Sequence, residues 1–480
     1  MNRRVLGVAT LLILVGIGLA AVGWRQETQR SDRVTSTPVV ESPGDGAPTP
    51  ILSARRVPEL LVRPQASRRL TAKLTPVLDK APAQTCAVVA DGATTLFARK
   101  PDEPMPAASN QKILTALVAL DVLGADFRFT TKLAATAAPS GGVIAGDLWV
   151  IGGGDPVIDS DTYQSTLHYG STPHTRVEDI ADKIVASGIT RVDGSVKGDD
   201  TRYDDQRVVS SWPARYIQQN QVGPLSALSV NDARTYAVIP GTQAGTPQPA
   251  ADPPAYAATA LTQLLQARGV TVTGLPGSGS APAGLTTVTE VASLPLSDIV
   301  KEMLTFSDNN TAELLLKAVG LQDGKAGTTA DGLAVAKQVL TEHHLDLNGV
   351  VLLDGSGLDI GNRLTCRLLE TALGDAGPDG PLANGLAVAD GPDGTLRDRF
   401  TNSPAAGAVR AKTGTLKAVT ALSGWVTTTK GANVRFSVVL NTGGRDVSGS
   451  DLTLETRVAE AIMSYPDAVD PAVVGPRPVP

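Results

Sequence analysis

The sequence predicts an α+β fold in the mixed α/β class: an antiparallel sheet flanked by helices, with a second α+β domain inserted into it. Three observations carry that expectation. Apolar residues recur at helical spacing downstream of Ala107 and again from Leu294. The stretch from Val409 to Asn441 reads as successive strands with a turn at Lys430-Gly431-Ala432-Asn433, a β-meander. Between these regions, from Phe129 to about Gly284, short strand-like pieces alternate with two helical ones, as an inserted domain would. A chain of 480 residues has room for two or three such units. With only 4% aromatic residues, its cores must be built from Ala, Val, Leu and Ile.

The N-terminus reads "MNRRVLGVATLLILVGIGLAAVGWRQ". Arg3 and Arg4 precede an apolar stretch, Val5 to Trp24, that is long enough to span a bilayer. The arginines favour a cytoplasmic N-terminus, with the bulk of the chain outside. Ala21-Val22-Gly23 also fits a small-residue cleavage site. Residues 1–24 are thus a single-pass signal anchor or a cleaved signal peptide. Both readings export the chain, to the outer face of the cytoplasmic membrane or the cell envelope. Residues 25–66 are rich in Pro, Ser and Thr and read as a disordered tether, with order beginning near Ser67.

"TCAVVADGATTLFAR" alternates around Asp91-Gly92, a hairpin signal. Pro104 and Pro106 stop the second strand, and a helix is expected from Ala107 to Gly124. The inserted domain, residues 130–284, offers strand-like pieces in "GDLWVIGGGDP", "TRVDGSVKGDD" and "ARTYAVIPG". Its helices are "RVEDIADKIVASG" and "YAATALTQLLQARG", and Pro240 to Pro254 reads as a flexible interruption. Residues 67–129 and 285–468 form the main domain. Its second half runs through "PLSDIVKEMLTFSDNNTAELLLKAVG", "DGLAVAKQVLTEHH", "CRLLETALG", the meander and a closing helix, "DLTLETRVAEAIMSY". Residues 469–480 form a Pro-rich tail.

Composition narrows the function classes. The net charge is −6 and no basic run exceeds a doublet, which argues against a nucleic-acid partner. There are four histidines and no Cys-x-x-Cys, and His343-His344 has no third ligand nearby, so no metal and no cofactor is expected. Cys86 and Cys366 both sit in apolar segments. Export permits a disulfide, but two packed free thiols are the favoured reading.

Three short motifs follow in order: Ser109-Asn110-Gln111-Lys112, Ser307-Asp308-Asn309 and Lys412-Thr413-Gly414. The first opens a helix, where positions i and i+3 share a face and a lysine of lowered pKa can activate a serine. Taken alone it also fits a helix cap beside a solvated lysine. The second lies between two amphipathic helices. A further Ser-x-Asn, at Ser229, sits in a turn-like context. The third lies on a strand, where glycine admits a close backbone approach. Each alone is weak, but their order and local structure agree. No Gly-x-Ser-x-Gly elbow or His-Glu-x-x-His competes.

With these motifs in this order, the chain resembles the D-alanyl-D-alanine carboxypeptidase/endopeptidases of the class C penicillin-binding proteins, the serine peptidase family S13. The resemblance runs from about Ala81 to Asn441. It includes "IGGGDPVID", "VDGSVKGDD", "GPLSALSVND", "LLDGSGLDIGNRLT" and "VRAKTGTLKAVTALSGWV". It implies the serine DD-peptidase/β-lactamase-like transpeptidase fold. The interval from Ser109 to Ser307 (307 − 109 = 198 residues) is shorter than usual for that family, which leaves the number of accessory domains open.

The resemblance also implies a chemistry and its substrates. The substrate is a peptidoglycan stem peptide ending in D-Ala-D-Ala, and β-lactams are covalent inhibitors. Ser109 attacks the penultimate D-Ala carbonyl. Lys112, kept partly neutral by burial and by Lys412, takes the proton. Ser307 relays a proton to the leaving amine. Asn309 holds the substrate amide, Lys412 and Thr413 receive the terminal carboxylate, and the strand through Gly414 and Thr415 pairs with the peptide. The backbone N–H groups of Ser109 and Thr415 form the oxyanion hole. The membrane is a partner if the N-terminal segment stays uncleaved. The alternatives are a serine β-lactamase, disfavoured because Glu370-Thr371-Ala372-Leu373-Gly374 lacks the asparagine of Glu-x-x-Leu-Asn, and a non-catalytic wall-binding protein. Gly152 to Pro156 reads as a turn, and Asp354 to Gly357 as a loop lining the cleft.

Overall fold

The computed structural model describes Ser53, Arg56 and residues 59–321 and 326–469. The apolar N-terminal segment, most of the tether and the tail from Asp470 lie outside the described residues. Helix α1, Glu59–Leu78, begins inside the stretch assigned to the tether. Ala66, Leu70, Leu74 and Leu78 recur every four residues along it and are all buried. That apolar stripe needs a partner surface, and the sheet supplies it, so order starts earlier than the Pro/Ser/Thr content suggests.

The main sheet has six strands in the order β13-β14-β15-β16-β1-β2. They are β1 (Gln84–Asp91), β2 (Thr94–Arg99), β13 (Ala387–Val388), β14 (Val409–Leu416), β15 (Val419–Thr427) and β16 (Asn433–Asn441). All neighbours in it pair antiparallel. Both faces are covered, so strand residues alternate between two cores. Cys86 and Val88 join one core, while Ala87 and Val89 join the other. The second core is closed by α1 and by α9 (Gly449–Met463). The first is closed by α2 (Lys112–Leu123), α5 (Leu296–Phe306), α6 (Asn309–Val319), α7 (Thr329–Glu342) and α8 (Cys366–Ala376).

Residues 130–292 build separate sheets around a third core that includes Leu133, Val150, Ile180, Leu261 and Leu265. One sheet has the order β11-β9-β5-β3-β12. It comprises β3 (Thr130–Ala135), β5 (Leu148–Ile151), β9 (Val196–Asp199), β11 (Gly277–Ser278) and β12 (Thr286–Ala292). A parallel trio joins β4 (Val143–Ile144), β8 (Arg191–Val192) and β10 (Thr271–Val272), and β6 (Ile158–Asp159) pairs with β7 (Thr175–Arg176). Helices α3 (Val177–Ala186) and α4 (Pro253–Ala267) pack against them.

Two expectations need correction. "ARTYAVIPG" forms no strand; only an isolated bridge joins Arg234 to Pro249. Asn231, Asp232 and Ala233 all have positive φ just before it, so the chain turns away instead of extending into a ladder. Cys86 and Cys366 are not free thiols but form a disulfide. Both are fully buried in the core between β1 and α8. Local apolar context is the same for a thiol and a half-cystine, and only packing across 280 residues makes them neighbours.

Candidate active site

The segment "PAASNQK" does not enter its helix directly. Ala108–Gln111 form a 3-10 turn, and α2 starts at Lys112, later than the expected Ala107. Ala108 holds φ at 48°, a left-handed conformation that a non-glycine residue adopts only when its surroundings impose it. On this turn Ser109 is half-buried while Lys112 is fully buried.

Lys112 Nζ makes three contacts: Ser109 Oγ at 2.9 Å, Asn309 Oδ1 at 2.6 Å and the Ser356 carbonyl at 2.9 Å. Two of these partners are carbonyl oxygens, which can only accept. A neutral amine has two hydrogens and one lone pair. The charged amine donates to all three partners; once neutral, it keeps its hydrogens on Asn309 and Ser356 and turns its lone pair to the Ser109 hydroxyl. Burial lowers the Lys112 pKa to about 8, against the opposing pull of Asp308, Asp354, Glu313 and Glu302. Burial therefore acts on Lys112 directly, where the sequence reading also invoked Lys412.

The Ser307-Asp308-Asn309 motif is the bend between α5 and α6. Ser307 caps the C-terminus of α5 in a left-handed conformation, φ 67° and ψ 33°. Asp308 caps α6, accepting from Thr311 N at 2.5 Å. Asn309 then faces Lys112 with Oδ1, and its Nδ2 donates to Gln221 O at 2.6 Å. In this structure both ends of Asn309 are bound to protein groups.

Lys412 lies fully buried on β14 and donates to the Thr413 carbonyl at 2.9 Å. Burial, then the charge of Lys112, holds its pKa well below the usual lysine range. Thr413 Oγ1 lies 2.9 Å from Thr395 Oγ1, and Thr415 is exposed. The neighbouring strand β13 pairs only with Arg410 and Ala411, so β14 from Lys412 onward has β15 on one side alone. Gly414 brings this edge onto the serine turn. A Cβ there would lie 2.8 Å from Ala107 O and 3.1 Å from Ser109 N, so a side chain would push the strand away. Asn110 Nδ2 donates to Lys412 O at 3.1 Å and ties the two together. Ser109, Lys112, Asn309 and the Lys412–Gly414 edge thus meet in one place, and Ser307 lies two residues from Asn309 on the same bend.

Sequence reading missed the groups beneath this cluster. Glu313, fully buried on α6, accepts from Gly355 N at 3.0 Å and Ser356 N at 2.7 Å. Burial and then Asp354 push its pKa up to about 8. A single acid inside "AELLL" was the available signal. The Asp354–Gly357 loop is buried floor more than cleft lining, with Asp354 1% and Ser356 0% exposed. The Gly152–Gly154 run is irregular chain after β5, with the turn itself at Pro156–Val157, and Tyr203 and the backbones of Ala227 and Thr130 leave no room for side chains there. His343 bridges Asp375 at 2.6 Å and Asp121 at 3.1 Å, and among the described residues no group of acids, histidines or cysteines is placed to hold a metal.

Comparisons with known proteins show the family and the fold. A carboxypeptidase, "D-alanyl-D-alanine carboxypeptidase" of Actinomadura sp. (strain R39), is 32% identical over 434 residues, covering 74% of this chain and 77% of that protein. "Carboxypeptidase DacB" of Mycolicibacterium smegmatis is 29% identical over 449 residues, 91% of this chain and 92% of that one. Penicillin-binding protein 4 (dacB) of Haemophilus influenzae superposes with a TM-score of 0.67 at 19% identity, over 81% of this chain and 98% of that chain. This last likeness establishes the fold expected from the sequence. The family match itself spans residues 70–250 and 243–458, and the chain belongs to the D-Ala-D-Ala carboxypeptidase 3 (S13) family.

Proposed function

We propose that this protein is an exported serine D-Ala-D-Ala carboxypeptidase that trims peptidoglycan stem peptides through a Ser109 acyl-enzyme. One observation carries the reading: Lys112 Nζ sits 2.9 Å from Ser109 Oγ, with Asn309 Oδ1 and the Ser356 carbonyl as its other two partners. Ser109 Oγ adds to the penultimate D-Ala carbonyl as its proton passes to Lys112. The oxyanion forms against the backbone N–H groups of Ser109 and Thr415; one such donor is worth about 3 kcal/mol of barrier. Collapse breaks the peptide bond, and Ser307 relays the proton held by Lys112 to the departing D-Ala amine, which leaves Lys112 neutral again. Water then adds to the ester and regenerates Ser109.

The open edge of β14 receives the extended peptide as an added strand. Lys412 and Thr413 draw in its terminal carboxylate, and Asn309 holds its amide by rotating from its present partners. A cross-linked stem reacts by the same steps with a different leaving amine, which makes DD-endopeptidase activity part of this proposal. β-Lactams reproduce the D-Ala-D-Ala terminus and acylate the same serine. Residues 130–292 form an accessory domain, past the expected end at 284 because β12 pairs with β3, and the N-terminal segment, if uncleaved, holds the enzyme at the outer face of the membrane. Among the described residues no helix is long and apolar enough to cross one.

The test is Ser109→Ala in the full chain. D-Ala release from a D-Ala-D-Ala peptide and covalent penicillin labelling should both vanish, with the melting temperature unchanged. Labelling that survives would assign the nucleophile elsewhere.

A further inference from the structure

The segment from Arg207 to Gly223, which the sequence places in the insert, reaches the floor beneath Lys112. Trp212 is 6% exposed, and its Nε1–H donates to Asp354 Oδ2 at 2.9 Å. Next to it, Ser211 Oγ donates to the Asp359 carboxylate and Tyr216 Oη donates to Leu358 O at 3.1 Å. The Trp212 and Tyr216 rings meet edge to face, 6.4 Å apart. None of these groups touches Ser109 or Lys112.

Asp354 is the hub of the loop that follows. Its carboxylate also accepts from Asp359 N at 2.7 Å, Gly357 N at 2.9 Å, Asn362 Nδ2 at 2.8 Å and Gln111 Nε2 at 3.3 Å. These bonds wind residues 354–362 into a closed turn. Two residues past Asp354, the Ser356 carbonyl takes one hydrogen of Lys112. Orienting that carbonyl decides where the lysine lone pair points. A buried carboxylate that loses one donor is left under-satisfied, and the turn around it must rearrange or take up a proton.

We propose that Trp212 is a positioning residue for the general base: its indole N–H fixes Asp354, and Asp354 fixes the Ser356 carbonyl that aims Lys112 at Ser109. The inference rests on the proposed function. It makes the insert part of the catalytic machinery, acting through another group and not by touching substrate.

The charges around Lys112 are the carboxylates of Asp308, Asp354, Glu313 and Glu302, together with the Lys412 amine. Negative charge on Asp354 favours the protonated lysine. Weakening its hold on that charge moves Lys112 toward deprotonation at lower pH.

The experiment is Trp212→Phe in the full-length protein, followed by single-turnover acylation with penicillin across pH. The expected plateau rate falls about 10- to 100-fold, as for a base displaced by a fraction of an ångström to an ångström. The acid limb moves to lower pH, kcat for D-Ala release falls in parallel, and KM is unchanged. A folded variant with the wild-type plateau and limb overturns the proposal. So does a loss explained wholly by fewer penicillin-titratable molecules, since those that remain would react normally. Should Trp212→Phe fail to fold, 3-benzothienylalanine at position 212 keeps the ring shape without the N–H and must give the same two changes. Wild-type protein that fails to acylate at all would instead sink the proposed function.

Discussion

At the scale of single residues, Lys112 is the unusual group. It is a fully buried lysine with no carboxylate in direct contact, held by two carbonyl acceptors and one hydroxyl. Burial lowers its pKa to about 8, so about a tenth of it is neutral at pH 7, far more than for a solvated lysine. The sign follows directly: a base works when deprotonated, so activity rises with pH. Acylation of Ser109 by penicillin should increase about tenfold per pH unit below the pKa and level off above it. Stopped-flow or labelling rates from pH 6 to 9 check this, and a flat profile would remove Lys112 as the base. The pair Ser109 and Lys112 was legible because helical spacing alone puts i and i+3 together. Glu313 was not, because its partners, the N–H groups of Gly355 and Ser356, are 42 and 43 residues away.

At the scale of elements, the motif Ser307-Asp308-Asn309 shows how a short stretch encodes a bend. The left-handed cap at Ser307 ends one helix, and Asp308 caps the next at once, leaving Asn309 aimed at the lysine. The meander and the helices downstream of Leu294 were likewise readable from their apolar runs and the turn signals between them, although β15 is buried on both faces and shows no alternation. Contacts between elements were not. The disulfide between β1 and α8 is the clearest case. Closing so long a loop restricts the unfolded chain. Cys366→Ser should therefore lower stability by about 2–5 kcal/mol. Denaturant unfolding of the variant, with and without reductant, measures it. An unchanged midpoint would mean that the bond adds nothing beyond the packing of the two elements.

At the scale of the whole molecule, buried carboxyl groups set how stability varies with pH. Burial pushes Asp155 up to about 6 and Asp159 up to about 7, and it raises Glu302 and Asp308 as well. In the unfolded chain these groups titrate near 4. A raised folded pKa contributes stability that is complete below the unfolded value and is lost as pH rises through the folded one. Asp451, held low by Arg445, works in the opposite sense but only in stronger acid. The melting temperature should thus fall between about pH 5 and pH 8. Thermal melts in constant ionic strength test it, and a rise across that window would contradict the burial of the cluster. These acids come from Asp155, Asp159, Glu302 and Asp308, segments that only the folded chain assembles. By itself the sequence determined the helices downstream of Leu294, the meander, the serine–lysine pair and the family pattern, because each rests on spacing within one element or on the order of short motifs. Tertiary structure alone decided that Gly414 rests on the serine turn, that Cys86 meets Cys366 and that Trp212 reaches Asp354. Those contacts join residues remote along the chain, and what brings them together is burial of shared apolar surface, which no local pattern records.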